Sequence, residues 1–424
     1  LMHDRPVVAP SDDTVFRREA RGAIMLRRAR GWSPERLALS VPAVVPILAL
    51  GAELKTTVCL GNGGYAWLSA HLGDQRSFRV QQRTADAVRR LVKLSGVVPQ
   101  IVACDAHPGY ASSAMLSRWA ADEGDDSLGF ANQCTVQQVQ HHHAHVAAVM
   151  LEHGITHPVV ALAFDGAGWG LDGTMWGGEV LVADLTTVKR VGALLDAPLI
   201  GGDLAAQEPW RAALGWLLNH DGVAFRAVTD ALSPLAVDVA CRLALRPGTF
   251  RTSSMGRLFD AAAAVLHVVP RNSYEGEAAA RLEALAAKEP HGIGVAFEFV
   301  HAQNGGPWRL DPRGALERLA VYRALGMRPE RLAARWHDDV AATAVAAALR
   351  AVDDHAPVDR PIQDVVLCGG VFQNVRLLHA VRTALESRGL TVLTARALPP
   401  NDGAIAVGQV AIAAATLSLA GRNT

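Results

Sequence analysis

Hydrophobic and polar positions along this chain follow two alternating periods. Short, nearly unbroken apolar runs bounded by glycine, proline or charge read as buried strands: "VPILALG" (45–51), "VCLGNG" (58–63), "IVACD" (101–105), "PVVALAFDG" (158–166), "EVLVADL" (179–185), "VVLCGG" (365–370) and "LTVLTA" (390–395). Between them lie stretches with helical spacing. "DAVRRLVKLSG" (86–96) and "HHHAHVAAVMLEHG" (141–154) each end on a glycine stop. The span 205–350 is Ala-rich and mostly helical, and "PPNDGAIAVGQVAIAAATL" (399–417) is a turn followed by a final helix. Strands alternating with helices predict an α/β protein.

The pattern restarts once. Strand, polar turn, strand occurs at 45–61 and again at 158–185, each turn carrying charged groups. This predicts two similar lobes, 41–157 and 158–424, the second with a helical insertion. A cleft between such lobes is a common nucleotide site. Residues 1–40, charged and proline-punctuated, read as a linker or the tail of an upstream domain. The chain opens on Leu1 rather than Met, so its start reads as a cut, with further domains expected upstream.

Composition narrows the class. The 424 residues are half hydrophobic, enough for more than one core, and 41 basic residues balance 41 acidic ones. No net field draws the chain to nucleic acid or an anionic membrane, and neither is an expected partner. The one basic run, "RRARGWSPER" (27–36), reads as a solvated edge or as a polyanion site. Five scattered cysteines, three of them in strand-like runs, suit a reducing, cytoplasmic compartment better than a disulfide framework. No uncharged, unbroken apolar stretch of 18 residues stands out as a membrane span.

The candidate chemistry starts from four histidines within five positions. On a helix, His141 and His145 share one face and can reach one ion, whereas His142 and His143 point elsewhere. Such a pair needs carboxylates from other segments. Asp165 closes a buried strand, where an unpaired charge is costly. Asp402, in the turn before the last helix, reads either as a ligand or as a helix cap. Gly369 and Gly370 separate a strand from a helix, which lets backbone approach a phosphate or simply makes a tight turn, and Asn374 can meet a sugar or base. Lys55, in the first inter-strand turn, reads as a phosphate contact or an exposed lysine.

The motifs "MLRRARGWSP", "LGAELKTTVCL", "SAHLGD", "DAHPGY", "VQHHHAHVAAVM", "FDGAGWGLDGTMWGGEVL", "GGDLAAQEPWR", "SSMGRLFDA", "YEGEAA", "CGGVFQN" and "NDGAIAVGQ" occur in this order from about residue 24 to 415. Together they resemble the C-terminal, Kae1-like domain of the HypF carbamoyltransferases of NiFe-hydrogenase maturation. The resemblance implies a two-lobed actin/Hsp70-like ATPase fold (ASKHA) with a nucleotide cleft between the lobes. It implies His141, His145, Asp165 and Asp402 as metal-associated residues, and Gly369, Gly370 and Asn374 as nucleotide contacts. It further implies Ser253, Gly256, Glu275 and Gly276 as candidates lining the same cleft, with Lys55 on the phosphate side.

The implied reaction moves a carbamoyl group from carbamoyl-adenylate, made from ATP by an upstream YrdC-like domain, to the C-terminal cysteine of HypE. A thiolate acceptor needs no covalent nucleophile from the enzyme, so no catalytic Cys or Ser is assigned. Mixed His/carboxylate ligation suits Fe(II) or Zn(II), with a phosphate-bound Mg(II) as the other reading. Two rival functions remain at this point: O-carbamoyl transfer to a small-molecule hydroxyl, and a non-catalytic module that binds nucleotide and metal.

Overall fold

In a computed structural model that describes residues 4, 7–121, 128–218, 222–301, 306–355 and 361–422, the apolar runs become strands. The chain divides into two units, residues 1–156 with 395–424, and residues 157–394. The final 30 residues therefore belong with the first unit, not with 158–394 as the order along the chain suggested.

In the first unit, β1 (Val15–Glu19) and β2 (Gly22–Arg27) pair antiparallel as a hairpin. Part of the stretch read above as a linker is thus a β-hairpin. Of the opening "LMHDRP", only Asp4 lies within the described residues. Strands β3 (Arg36–Ala49), β4 (Cys59–Leu68), β5 (Ile101–Asp105) and β6 (Thr135–Val139) form a sheet in the order β4-β3-β5-β6. β3 and β4 are antiparallel, and β3, β5 and β6 run parallel.

Period-two alternation divides the sheet's faces. Leu48, Leu60 and Val102 pack with α1 (Phe78–Ser95) and α2 (Ala111–Ala120) around Met115 and Trp119. Neighbouring Gly61 faces Val410 of the C-terminal helix (Ile405–Arg422). That helix also packs on β3 and on α3 (His141–His153). The segment Asp402–Gly421 is long and apolar enough to cross a membrane by length and composition alone. With 72% of it buried inside the protein, it is explained as a core helix.

The second unit repeats the pattern. Among its described residues, β7 (Val159–Trp169), β8 (Met175–Ala183), β9 (Val188–Leu194), β10 (Ala197–Pro198), β11 (Arg251–Thr252), β12 (Glu298–Val300), β13 (Trp308–Asp311), β14 (Asp364–Cys368) and β15 (Thr391–Thr394) build one sheet, with main order β12-β13-β9-β8-β7-β14-β15. Its segment β8-β7-β14-β15, an antiparallel pair extended by two parallel strands, matches β4-β3-β5-β6 of the first unit. β7, flanked by strands on both sides, is buried from Val159 through Asp165, which accounts for its unbroken apolar run. The Ala-rich span forms helices at Pro209–Leu217, Val223–Thr229, Pro234–Leu245, Met255–Val265, Glu277–Ala286, Arg313–Ala324 and Pro329–His355.

Candidate metal centre and glycine turn

In the first unit the parallel register pairs Asp105 with Val139, so the end of β5 lies beside the start of α3. Gln140 caps α3 by accepting the N–H of His143 at 2.8 Å. His141 then opens the helix, and His145 follows one turn later with its ring centroid 5.0 Å away. All four histidines are buried, His142 and His143 included, so none decorates a surface. His141 Nδ1 lies 2.7 Å from Asp105 Oδ2, and both side chains have zero exposure. Asp105 Oδ1 accepts the N–H of His107 at 2.9 Å. With Nδ1 turned to Asp105, the ring presents its Nε2 on the far side.

That Nε2 faces the turn before the C-terminal helix. His141 Nε2 and His145 Nε2 stand 3.8 and 3.5 Å from Asp402 Oδ1. The three ligand atoms lie within 4.8 Å of one another. These separations exceed a good N–H···O bond. They match donors sharing one ion, since ligands each about 2.0–2.2 Å from a metal are spaced by roughly 3–3.5 Å. Two imidazoles and a carboxylate, one imidazole held by a second carboxylate, fit a divalent cation.

Asp402 is spared the capping role. Asn401 Oδ1 accepts the N–H of Gly403, and Asn401 Nδ2 donates to Leu26 O, both at 3.0 Å. Two further devices align this turn with α3. Glu152 accepts the N–H groups of Arg396, Ala397 and Leu398 at 2.7–2.9 Å, and burial raises its pKa. Gly408 touches α3 directly, where a Cβ would fall 1.9 Å from Ala144 O. Only glycine permits that approach.

The loop bearing Lys55 is tied to the same helix. Gln409 Oε1 accepts the N–H of Gly51 at 2.9 Å, and its Nε2 donates to Gly51 O at 3.1 Å. Thr57 Oγ1 donates to Gly403 O at 3.1 Å. Lys55, half-buried, has φ +49°, a left-handed conformation uncommon for a residue with a Cβ.

In the second unit, β7 and β14 run parallel with Ala163 beside Cys368, which carries Asp165 up to the glycine turn. Asp165 Oδ1 accepts the N–H of Gly370 at 2.9 Å. Gly369 has φ +95°, and a Cβ there would meet Phe164 O at 2.3 Å. Asn374 caps the helix Val375–Glu386 by accepting the N–H of Leu377 at 3.0 Å, and its Nδ2 donates to His337 Nε2 at 2.8 Å. His337 donates Nδ1–H to Ala333 O, and complete burial lowers its pKa to about 4.

Ser254, not Ser253, caps the helix Met255–Val265, and it also reaches Gly166 O. Ser253 donates to the buried Glu179, which Arg190 pairs. Gly256 would place a Cβ 2.9 Å from Gly166 Cα, so these backbones are in contact. Glu275 is exposed, and Gly276, at φ +77°, opens the helix Glu277–Ala286.

The structure thus gathers His141, His145, Asp402 and the Lys55 loop in one unit. In the other it gathers Asp165, Gly369, Gly370 and Gly256. Sequence reasoning missed Asp105, Asn401 and Glu152. Asp105 had a signal, a carboxylate closing an apolar strand just as Asp165 does. All five cysteines are free; burial pushes Cys59 up to about 12 and Cys104 to about 11, and raises Cys368 as well.

Two family models match. The "HypF Kae1-like domain" covers residues 42–152, and "Carbamoyltransferase, Kae1-like Domain, second subdomain" covers residues 161–409. A carbamoyltransferase HypF2 from Cupriavidus necator is 40% identical over 97% of this chain and 52% of its own length. A HypF homolog from the same organism is 37% identical, over 87% of this chain and 91% of its own length. A crystal structure of full-length HypF, in a phosphate- and nucleotide-bound form, superposes with TM-score 0.86 at 32% identity, over 96% of this chain and 51% of that one. This chain spans about half the length of the first curated relatives it matches, 52% in the case of HypF2.

Proposed function

This chain belongs to the HypF carbamoyltransferase family as its Kae1-like domain, and we propose that it carries out the transfer step of hydrogenase maturation. It accepts carbamoyl-adenylate from an upstream YrdC-like domain or protein that uses ATP, and passes the carbamoyl group to the C-terminal cysteine of HypE in the cytoplasm. The thiolate sulfur bonds to the carbamoyl carbon, the carbon–oxygen bond to the adenylate phosphate breaks, and AMP leaves with the electron pair. A thiocarboxamide remains, a precursor of cyanide ligands.

The observation that carries this reading is the convergence of His141, His145 and Asp402 in a chain of this family. These residues would hold a divalent cation, Fe(II) or Zn(II), or Mg(II) where phosphate completes the site. When bound, the cation supplies Lewis-acid polarisation of the transferring group. The sequence assigns Asp165 to the same ion, and Asp165→Ala tests that assignment separately. Lys55, in its strained loop, offers a cation to the phosphate. The turn at Gly369 and Gly370 offers close backbone approach to the nucleotide, with Asn374 bracing it from the helix cap. Ser253, Gly256, Glu275 and Gly276 are the further nucleotide contacts the motifs imply. The chain's own buried thiols, pushed up by desolvation, are poor nucleophiles, which suits an acceptor thiolate from a partner.

The test mixes the metal-loaded chain with synthetic carbamoyl-adenylate and either HypE or a sugar. Carbamoylated HypE, lost in the His141→Ala/His145→Ala variant together with the metal, is the expected result. Carbamoylation of the sugar alone overturns the acceptor. Bound metal and nucleotide without any transfer leaves a non-catalytic module.

A further inference from the structure

We propose that Asp105 is a positioning residue for the candidate metal centre, fixing His141 in the Nδ1–H tautomer and in the ring orientation that turns Nε2 toward His145 and Asp402. The inference rests on the metal reading above. Asp105 is the last residue of a five-residue strand buried throughout. A carboxylate in such a place is costly to desolvate unless hydrogen-bonded and paired.

Both of its oxygens are engaged, Oδ2 with His141 Nδ1 at 2.7 Å and Oδ1 with the N–H of His107 at 2.9 Å. The backbone bond stops the carboxylate from swinging, so His141 inherits a fixed direction. The sheet register, Asp105 beside Val139, sets that distance before any side chain is placed. The loop beyond is braced as well: His107 Nδ1 accepts the N–H of Gly109, and the His107 ring stacks on Tyr110 at 4.0 Å. "DAHPGY" thereby acquires a physical role as the carboxylate support of the first histidine. A carboxylate behind a ligating imidazole both orients it and raises its basicity.

The experiment uses the full chain stripped with chelator and titrated with Co(II) and Zn(II) in competition with a chromophoric chelator. Asp105→Asn, which keeps the size and one acceptor, is expected to weaken both metals by about 10- to 100-fold. It should also change the Co(II) ligand-field spectrum, while the stripped variant melts within about 5 °C of stripped wild type. Equal affinity and an unchanged spectrum in Asp105→Asn, with His145→Ala still abolishing binding, would overturn the inference and spare the metal reading.

Failure of wild type to bind either metal would overturn the metal reading instead. The tautomer is read independently by nitrogen-15 NMR of histidine-labelled wild type. A proton on Nδ1 of His141 supports the positioning role even if the variant does not fold, and a proton on Nε2 defeats it.

Discussion

Asp105 and Asp165 each close a buried strand and pose one physical problem, yet the two units solve it differently. Asp105 is fully buried and meets a side chain, the imidazole of His141. Asp165, 6% exposed, meets a backbone amide, the N–H of Gly370. An acidic residue ending an apolar run therefore shows that a partner exists without showing which kind. A side-chain partner lets the carboxylate orient a ligand. A backbone partner lets one of its oxygens brace a turn.

The backbone brace depends on the shape of the turn, and the largest expected effect follows from this. In Gly369→Ala, the left-handed φ and a Cβ 2.3 Å from Phe164 O leave nowhere for the methyl group, because both obstacles are main chain. A loss of about 3 kcal/mol or more is expected in urea unfolding, at the upper end of ordinary point substitutions. A near-neutral outcome would mean that the turn can rearrange, and Asp165 would then brace nothing.

The next effect compares two buried histidines. His141 sits against a carboxylate, whereas His337 sits between the Asn374 amide and the Ala333 carbonyl. Among the described residues no anion hydrogen-bonds His337, and burial holds its folded pKa near 4, against 6.5 when exposed. The unfolded chain takes up the proton first. Stability is therefore full above about pH 6.5 and falls as pH drops toward 4, by up to about 3 kcal/mol from this residue. His337→Gln should flatten that slope relative to wild type in denaturant midpoints measured from pH 7 to pH 4.5. Parallel slopes would remove His337 as the cause.

Local periodicity made most of the elements legible. The strand runs around Leu48, Val102, Val160 and Val366 and the helix at 141–153 form where spacing put them, and the helix read at 86–96 forms over Phe78–Ser95, starting eight residues earlier. Unit membership was not legible, because it rests on a contact between segments more than 250 residues apart, Gly408 against Ala144. Nor could spacing say that Asn401 takes the cap and releases Asp402, since both residue types cap equally well. The histidine pair was visible from its i, i+4 interval. Its carboxylate support was not, because the β5–β6 register that creates it is non-local. The hairpin at 15–27 was overlooked because its strands show weak alternation and one face is exposed.

The smallest expected effect separates the two aspartates directly. In Asp165→Asn, the amide oxygen still accepts from Gly370 N–H, so at this bond a neutral contact replaces a charge-assisted one, and this bond accounts for a cost below about 1 kcal/mol. In Asp105→Asn, the oxygen that faces His141 also loses its charge, and Asn has only one acceptor for two donors, His141 Nδ1–H and His107 N–H. One buried donor is then left facing an NH2 group, and the cost rises to about 1–2 kcal/mol. Urea midpoints of both variants, stripped of metal, measure the difference, and the Asp105 variant should be the less stable. If instead the two shift equally, the histidine and the backbone amide are equivalent partners for a buried carboxylate. The distinction between an orienting aspartate and a bracing one would then have to rest on metal affinity alone.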